Sequence, residues 1–249
     1  LLSRRQRQMC IRDRVVLLDL HNYCRRYMNN EHTLIGNNGL TIGDLASFWQ
    51  AIAKEFSTFK NIYGYGLMNE PHDLTPETSW FDMAQASINA IREVDTNTLI
   101  MVGGNDWSSA ERWIEQSDTL KYLKDPANNL AFEAHVYFDK DASGTYKYSY
   151  EEEECYLEKG IDRVKPFVEW IKQNKFHGFI GEYGIPDNDP RWNETLDLFL
   201  GYLQENGING TYWAAGPWWD SYFMAITPKD GKDRPQMPII EKYTSTFKK

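Results

Sequence analysis

Only three cysteines, Cys10, Cys24 and Cys155, occur in 249 residues. They form no CxxC pair and no even framework, so neither a disulfide scaffold nor a cysteine-rich metal site is indicated, and the redox compartment stays open. No apolar run approaches the ~18 residues of a membrane span. The opening stretch lacks the apolar centre of a signal peptide. No glycine-rich phosphate loop follows a strand pattern, and there is no GxSxG elbow and no HExxH pair. Basic charge is also short: 27 Lys and Arg against 36 Asp and Glu leave a net −9, which argues against a nucleic-acid or other polyanionic partner. Repeats and low-complexity tracts are absent apart from Glu151–Glu154, which reads as a solvated acidic turn.

What is present is aromatic. Nine Trp and fifteen Tyr bring the aromatic share to 14%, more than a core alone asks for. Such an excess suits a protein that stacks on flat, uncharged ligands such as sugar rings. The length suits one large α/β domain, and 41% hydrophobic composition is enough to build its core.

Residues 1–14 stand apart. Arg4, Arg5, Arg7, Arg12 and Arg14 face a single Asp13, with neither a strand nor a helix period, before an abrupt change to Val15-Val16-Leu17-Leu18. The stretch resembles translated adaptor sequence and is expected to be a non-native basic leader; residues 15–249 are expected to form the folded domain, incomplete at its N-terminus.

Six short runs are almost continuously apolar: Val15–Leu20, Ile62–Met68, Thr98–Val102, Leu130–Val136, Gly178–Gly181 and Gly210–Ala214. That composition predicts parallel strands buried on both faces. Helical patterns lie between them. Thr41 and Asp44 form an N-cap entrance to a helix through about Phe59. From Thr78 to Val94, Trp80, Met83, Ala84, Ser87, Ile88 and Ile91 share one face. Further helices are predicted over 109–123, 160–174 and 191–206, the last stopped by Gly207, and a final amphipathic piece starts near Pro238. Strand alternating with helix means βα units. An open doubly wound sheet is the alternative. Polar residues recur at the C-terminal ends of the strands, where a (β/α)8 TIM barrel keeps its active site. A barrel needs eight strands, so this one is expected to lack its first two, which would precede Val15.

Two strand ends dominate. Ile62–Met68 runs into Asn69-Glu70 and is halted by Pro71, and Gly178–Gly181 runs into Glu182-Tyr183-Gly184. The other ends carry His21-Asn22-Tyr23, Asn105-Asp106-Trp107, His135-Val136-Tyr137 and Trp213. A lone strand-end histidine is commonly a hydrogen-bonded structural residue, and a lone glutamate a surface charge. Six strands ending this way on one face are hard to explain by packing. Glycoside hydrolysis needs one protonated carboxyl for the leaving oxygen and one ionised carboxylate opposite the sugar. His21, His72 and His135 each sit beside Asn, Pro or Tyr instead of in a run of ligands, so no metal is expected. Trp107, Trp213, Trp218 and Trp219 follow strands, where an indole can stack on a sugar. Trp80, Trp113, Trp170 and Trp192 lie on helical faces and are expected in the core.

These motifs carry a resemblance. Leu18-Asp19-Leu20-His21-Asn22-Tyr23, Leu67-Met68-Asn69-Glu70-Pro71-His72-Asp73, Phe132-Glu133-Ala134-His135-Val136-Tyr137, Phe179-Ile180-Gly181-Glu182-Tyr183-Gly184 and Tyr212-Trp213-Ala214-Ala215-Gly216 are similar to glycoside hydrolase family five, the large cellulase family. The run from His135 through Asp139 and Asp141 to Ser143-Gly144-Thr145 resembles its endo-β-1,4-glucanase branch. The resemblance implies a retaining endo-glucanase, with Glu70 the general acid/base and Glu182 the nucleophile. It implies Asn69 on the sugar 2-hydroxyl, His135 and Tyr137 orienting the carboxyls, His21 binding substrate, and Trp213 as the platform; Asn22 beside His21, and Trp107 and Trp218 after their strands at the mouth, are expected to bind substrate by position. It further implies a secreted monomer on a polysaccharide or oligosaccharide, with no cofactor, nucleic acid or membrane. The family's arginine at the end of its second strand has no counterpart here. β-Mannanase, mixed-linkage glucanase and a non-catalytic carbohydrate-binding barrel remain alternatives.

Overall fold

Each of the six apolar runs becomes a strand. The computed structural model describes residues 15–75, 78–219 and 221–244; the basic leader lies outside them. The strands are β1 (Val16–Asp19), β4 (Ile62–Gly66), β5 (Leu99–Gly103), β6 (Leu130–His135), β7 (His177–Tyr183) and β8 (Asn209–Tyr212). They hydrogen-bond in the order β1-β4-β5-β6-β7-β8. Sequence order is kept from one edge to the other. A doubly wound sheet reverses its order at a switch point, so that alternative falls, and the succession is that of a (β/α)8 barrel, six of whose strands lie among the described residues.

Contacts divide the described residues into two units, one up to Ser108 together with Glu115–Glu133, the other Ser109–Ile114 together with residues from Ala134 on. In the first, β1 pairs with β4, β4 with β5, and β5 with the start of β6, all parallel. Helices Ile42–Phe56 and Trp80–Arg92 belong to this unit. Thr41 begins the former with a full capping box: its hydroxyl accepts from the Asp44 N–H, and the Asp44 carboxylate accepts from the Thr41 N–H. All six residues expected on the inner face of Trp80–Arg92 are buried. The Trp49 indole donates to the Leu67 carbonyl at 3.0 Å and the Trp80 indole to the Gly103 carbonyl at 2.7 Å, so each helix is tied to a strand end.

In the second unit, β7 pairs with β8, and helices Lys159–Asn174 and Pro190–Glu205 supply the apolar cover. Trp113 and Trp170 pack edge to face at 5.4 Å, and Trp192 meets Tyr150 and Tyr146 in the same way. All four tryptophans assigned to the core are 2% exposed or less. Truncating one to alanine costs about 3–5 kcal/mol.

Not every expectation stands: β8, read as buried on both faces, is exposed at Asn209, Gly210 and Thr211, because a strand at the end of the sheet order has one neighbour instead of two. A hairpin, β2 (Arg25–Met28) with β3 (Glu31–Leu34), follows the first strand end and was not anticipated. Its two-residue loop, Asn29-Asn30, has φ of +51° and +64°, the left-handed pair such a turn requires. The helix expected over 109–123 is broken into Trp113–Ser117 and a 3-10 turn, Asp118–Tyr122. There the Asn105 amide takes the Gln116 carbonyl and the Ser117 hydroxyl takes the Asn105 N–H, diverting groups that a continuing helix needs. The helix from Thr41 stops at Phe56, short of Phe59. Glu153 is not solvated: it is buried, accepting from the Lys140 N–H at 2.8 Å and the Tyr148 N–H at 2.9 Å.

Candidate active site

β1 ends at Asp19, and the chain turns out through Leu20 to His21. The Asp19 carboxylate lies 3.1 Å from His21 Nδ1. A carboxylate only accepts, so Nδ1 carries the hydrogen and Nε2 is left to accept. The Asn69 amide nitrogen, at 3.2 Å, supplies a donor to it, and the Tyr23 hydroxyl stands at the same distance. The histidine tautomer and the Asn69 amide orientation are therefore set together, starting from Asp19. Asn22 is half-buried, and its Oδ1 has no hydrogen-bond partner among the described residues.

Regular pairing of β4 ends at Gly66, yet the Leu67 N–H still donates to the Met101 carbonyl and the Asn69 N–H to the Leu20 carbonyl. The extended path thus continues to the motif, where Asn69 is buried and Glu70 half-buried. Glu70 then takes φ +45°, a left-handed conformation rare for glutamate, and Pro71 follows. Trp107 also lies in this unit, 44% exposed, in a turn where Asp106, Trp107 and Ser108 all have positive φ.

In the second unit, Glu182 lies on β7 and is 8% exposed. The Tyr137 hydroxyl donates to its Oε2 at 2.7 Å, and His135 Nδ1 is 3.6 Å from the same oxygen. The Val136 N–H donates to the Glu182 carbonyl at 3.0 Å, so backbone pairing sets the register that brings both side chains to the carboxylate. Behind Tyr137 the chain curls around Asp139, which is fully buried. Its carboxylate accepts from the N–H groups of Gly144, Thr145 and Tyr146 and from the Ser143 hydroxyl. The Tyr146 hydroxyl accepts from the Phe138 N–H and donates to the Gly184 carbonyl, and burial pushes that phenol well above its ordinary range. The Arg163 guanidinium donates to the carbonyls of Tyr137 and Asp139. Asp139, Tyr146 and Arg163 were not singled out from the sequence for any role. The run from Asp139 to Thr145 entered only as part of the resemblance.

The tryptophans after β8 separate. Trp213 is half-buried and meets Trp219 edge to face at 4.9 Å, whereas Trp218 points outward, 90% exposed. The structure gathers Trp213 with Trp219 and not with Trp218.

A family model described as cellulase, glycosyl hydrolase family 5, matches residues 9–218. The chain belongs to that family. Among curated relatives of this family-5 chain, endo-beta-1,4-glucanase B of Aspergillus niger is 33% identical over 232 residues, covering 91% of this chain and 65% of the relative. The chain thus spans a little under two thirds of that relative's length. Among solved family-5 structures it is similar to the Pseudomonas stutzeri endoglucanase Cel5A in complex with cellobiose: 41% identity, TM-score 0.85, covering 93% of this chain and 68% of that one. It is also similar to XacCel5A in complex with cellopentaose, at 37% identity and TM-score 0.81, covering 92% and 73%. Among the described residues of this family-5 chain, no helix is long and apolar enough to cross a membrane.

Proposed function

We propose that this chain is the catalytic part of a retaining endo-β-1,4-glucanase. The observation that carries the reading is the placement of Glu182: a buried carboxylate at a strand end, with one oxygen held by a tyrosine hydroxyl and faced by a histidine. A buried carboxylate without donors is expensive, and a donor aimed at it fixes its direction. That is what a nucleophile needs. The names of the relatives and the two sugar-bound neighbours support the glucan assignment.

On this reading Glu70 protonates the leaving glycosidic oxygen as Glu182 attacks the anomeric carbon, forming a glycosyl ester on Glu182. Glu70 then removes a proton from water, which displaces Glu182 and regenerates both groups. Asn69, its amide fixed by His21, meets the sugar 2-hydroxyl, and the buried Asn22 Oδ1 offers an acceptor to a further hydroxyl. Trp213 carries the reacting sugar, with Trp107 and Trp218 at the mouth. Every step uses side chains alone, so no cofactor is needed and one chain suffices. The substrate is a polymer too large to enter a cell, and the enzyme acts outside it.

The test is covalent. A 2-fluoro cellobioside with an activated leaving group should accumulate the ester, and peptide mapping should find the sugar on Glu182. Label on Glu70 reverses the two roles. No label, with no reducing sugar released from glucan, replaces the enzyme by a carbohydrate-binding protein.

A further inference from the structure

His72 lies two residues past Glu70 and has no part in the roles above. Its Nδ1 is 2.9 Å from the Glu70 carbonyl oxygen. A carbonyl only accepts, so Nδ1 carries the hydrogen and donates. Glu70 sits at φ +45°, a conformation that persists only where its surroundings hold it. The His72 ring also lies flat on the Trp107 indole, with centroids 3.4 Å apart and planes 9° from parallel. Trp107, at φ +61°, sends its own N–H to the Pro71 carbonyl at 3.2 Å. Both stacked rings therefore hang on the segment that begins at Glu70. Arg25 closes the arrangement from behind, donating to the carbonyls of Tyr23 and His72, while the Tyr23 ring meets the stack at 5.5 and 5.9 Å.

We propose that His72 is a positioning residue with two separable tasks: its Nδ1–H holds the backbone of Glu70, and its ring face sets the plane of Trp107 as a sugar platform. The proposal rests on the reading of Glu70 as acid/base and of Trp107 as a stacking surface. A sugar laid on the exposed side of Trp107 is then registered to the Glu70 carboxyl through one side chain. Binding at the platform is in this way converted into alignment at the reacting bond.

Two variants separate the tasks. His72→Asn keeps an N–H near the position of Nδ1 and removes the ring. It should raise KM for a long cello-oligosaccharide roughly 2- to 10-fold, the usual worth of an aromatic contact, and leave kcat within about twofold. His72→Phe keeps a flat ring and removes the donor. It should leave KM nearly unchanged and lower kcat about 100-fold, as misplacement of an acid/base group does. With an activated aryl cellobioside, azide should restore turnover in His72→Phe. Its nitrogen bonds to the anomeric carbon as the ester to Glu182 breaks, and no proton has to be removed. A purely structural defect gains nothing from azide.

Glu70→Ala, run alongside, checks the underlying reading, since full hydrolysis by that variant overturns the acid/base role itself. If Glu70→Ala is inactive but azide-rescued, the His72 variants decide alone. Behaviour like the wild type, or a joint loss of kcat and KM without azide rescue, removes the His72 assignment. Thermal melts identify a variant that fails to fold, and the other variant's expected pattern then stands or falls by itself.

Discussion

The Tyr137 hydroxyl and the Glu182 carboxylate meet at 2.7 Å although 45 residues separate them in the chain. The contact exists because Val136 pairs with the backbone of Glu182 while the turn anchored by Asp139 holds the chain just beyond Tyr137.

Removing only that hydroxyl should therefore injure activity more than stability. Hydrogen bonds to charged groups are worth about 1.5–3 kcal/mol, so Tyr137→Phe is expected to lower kcat/KM on glucan roughly 10- to 100-fold. The melting temperature should move by only a few degrees, because the ring remains packed. Wild-type kinetics in this variant would show that the bond does not orient Glu182 during the reaction.

Gly144 and Gly207 offer a matched pair. Both have positive φ, +73° and +67°, but a Cβ on Gly144 would lie 2.9 Å from the Tyr137 ring, while one on Gly207 meets nothing within 4 Å. Gly207→Ala should cost only the left-handed backbone penalty, about 1–2 kcal/mol, with hydrolysis intact. Gly144→Ala adds overpacking of about 1–3 kcal/mol and shifts Tyr137, so it should lose activity as well. Denaturant melts and rates on one substrate check both; equal effects in the two variants would contradict the geometry.

Asp125 and Arg92 form a bidentate buried pair at 2.7 and 3.0 Å, with side chains 1% and 4% exposed. Burial alone would raise the Asp125 carboxyl, but the Arg92 guanidinium and the N–H groups of Asn129 and Ala127 outweigh it and hold it below its usual value. A depressed folded pKa gives stability that is present above the unfolded value, about 3.9, and lost as pH falls through the folded one. Asp125→Asn should cost about 3–5 kcal/mol at pH 7, because the Arg92 charge is left buried without a carboxylate partner, held by the carbonyls of Asp95 and Thr98. The gap from wild type should narrow from about pH 4 downward. Urea melts at pH 7, 5 and 3 read this, and a gap independent of pH would refute it.

The thiols should differ as well. Burial pushes the Cys24 thiol up to about 12 against a smaller opposing pull from Arg25, while Cys155, also raised by burial, is partly open to solvent. Iodoacetamide at pH 8 should label Cys155 slowly in the native protein and reach Cys24 only in denaturant. Native labelling of Cys24 by mass spectrometry would reveal opening of the segment around β2.

Local chemistry was written plainly in the sequence. Continuous apolar runs marked six strands, although only the inner ones are deeply buried: β8 is exposed at Asn209, Gly210 and Thr211, and β1 at Asp19. Thr41 with Asp44, and Gly207 after the Pro190–Glu205 helix, marked helix ends through interactions within a few residues. Asn69-Glu70 before Pro71 and Glu182 before Tyr183-Gly184 marked the strand ends that deliver carboxyls. Partners distant in sequence were another matter. Nothing local says that Asp139 is fully buried as the anchor of a turn, that the Asn105 side chain takes the Gln116 carbonyl, or that Glu153 caps two backbone N–H groups within an acidic run. Nor does composition distinguish Trp218, facing outward, from Trp219, packed on Trp213, since a three-residue turn decides which indole goes where. Periodicity and capping act over one or two turns of chain, so the sequence by itself marked the six strands of the sheet and most helices, missed the β2–β3 hairpin, and named the candidate reactive groups. Their orientation depends on donors from strands and helices tens of residues away, and only the tertiary structure brought those donors to them.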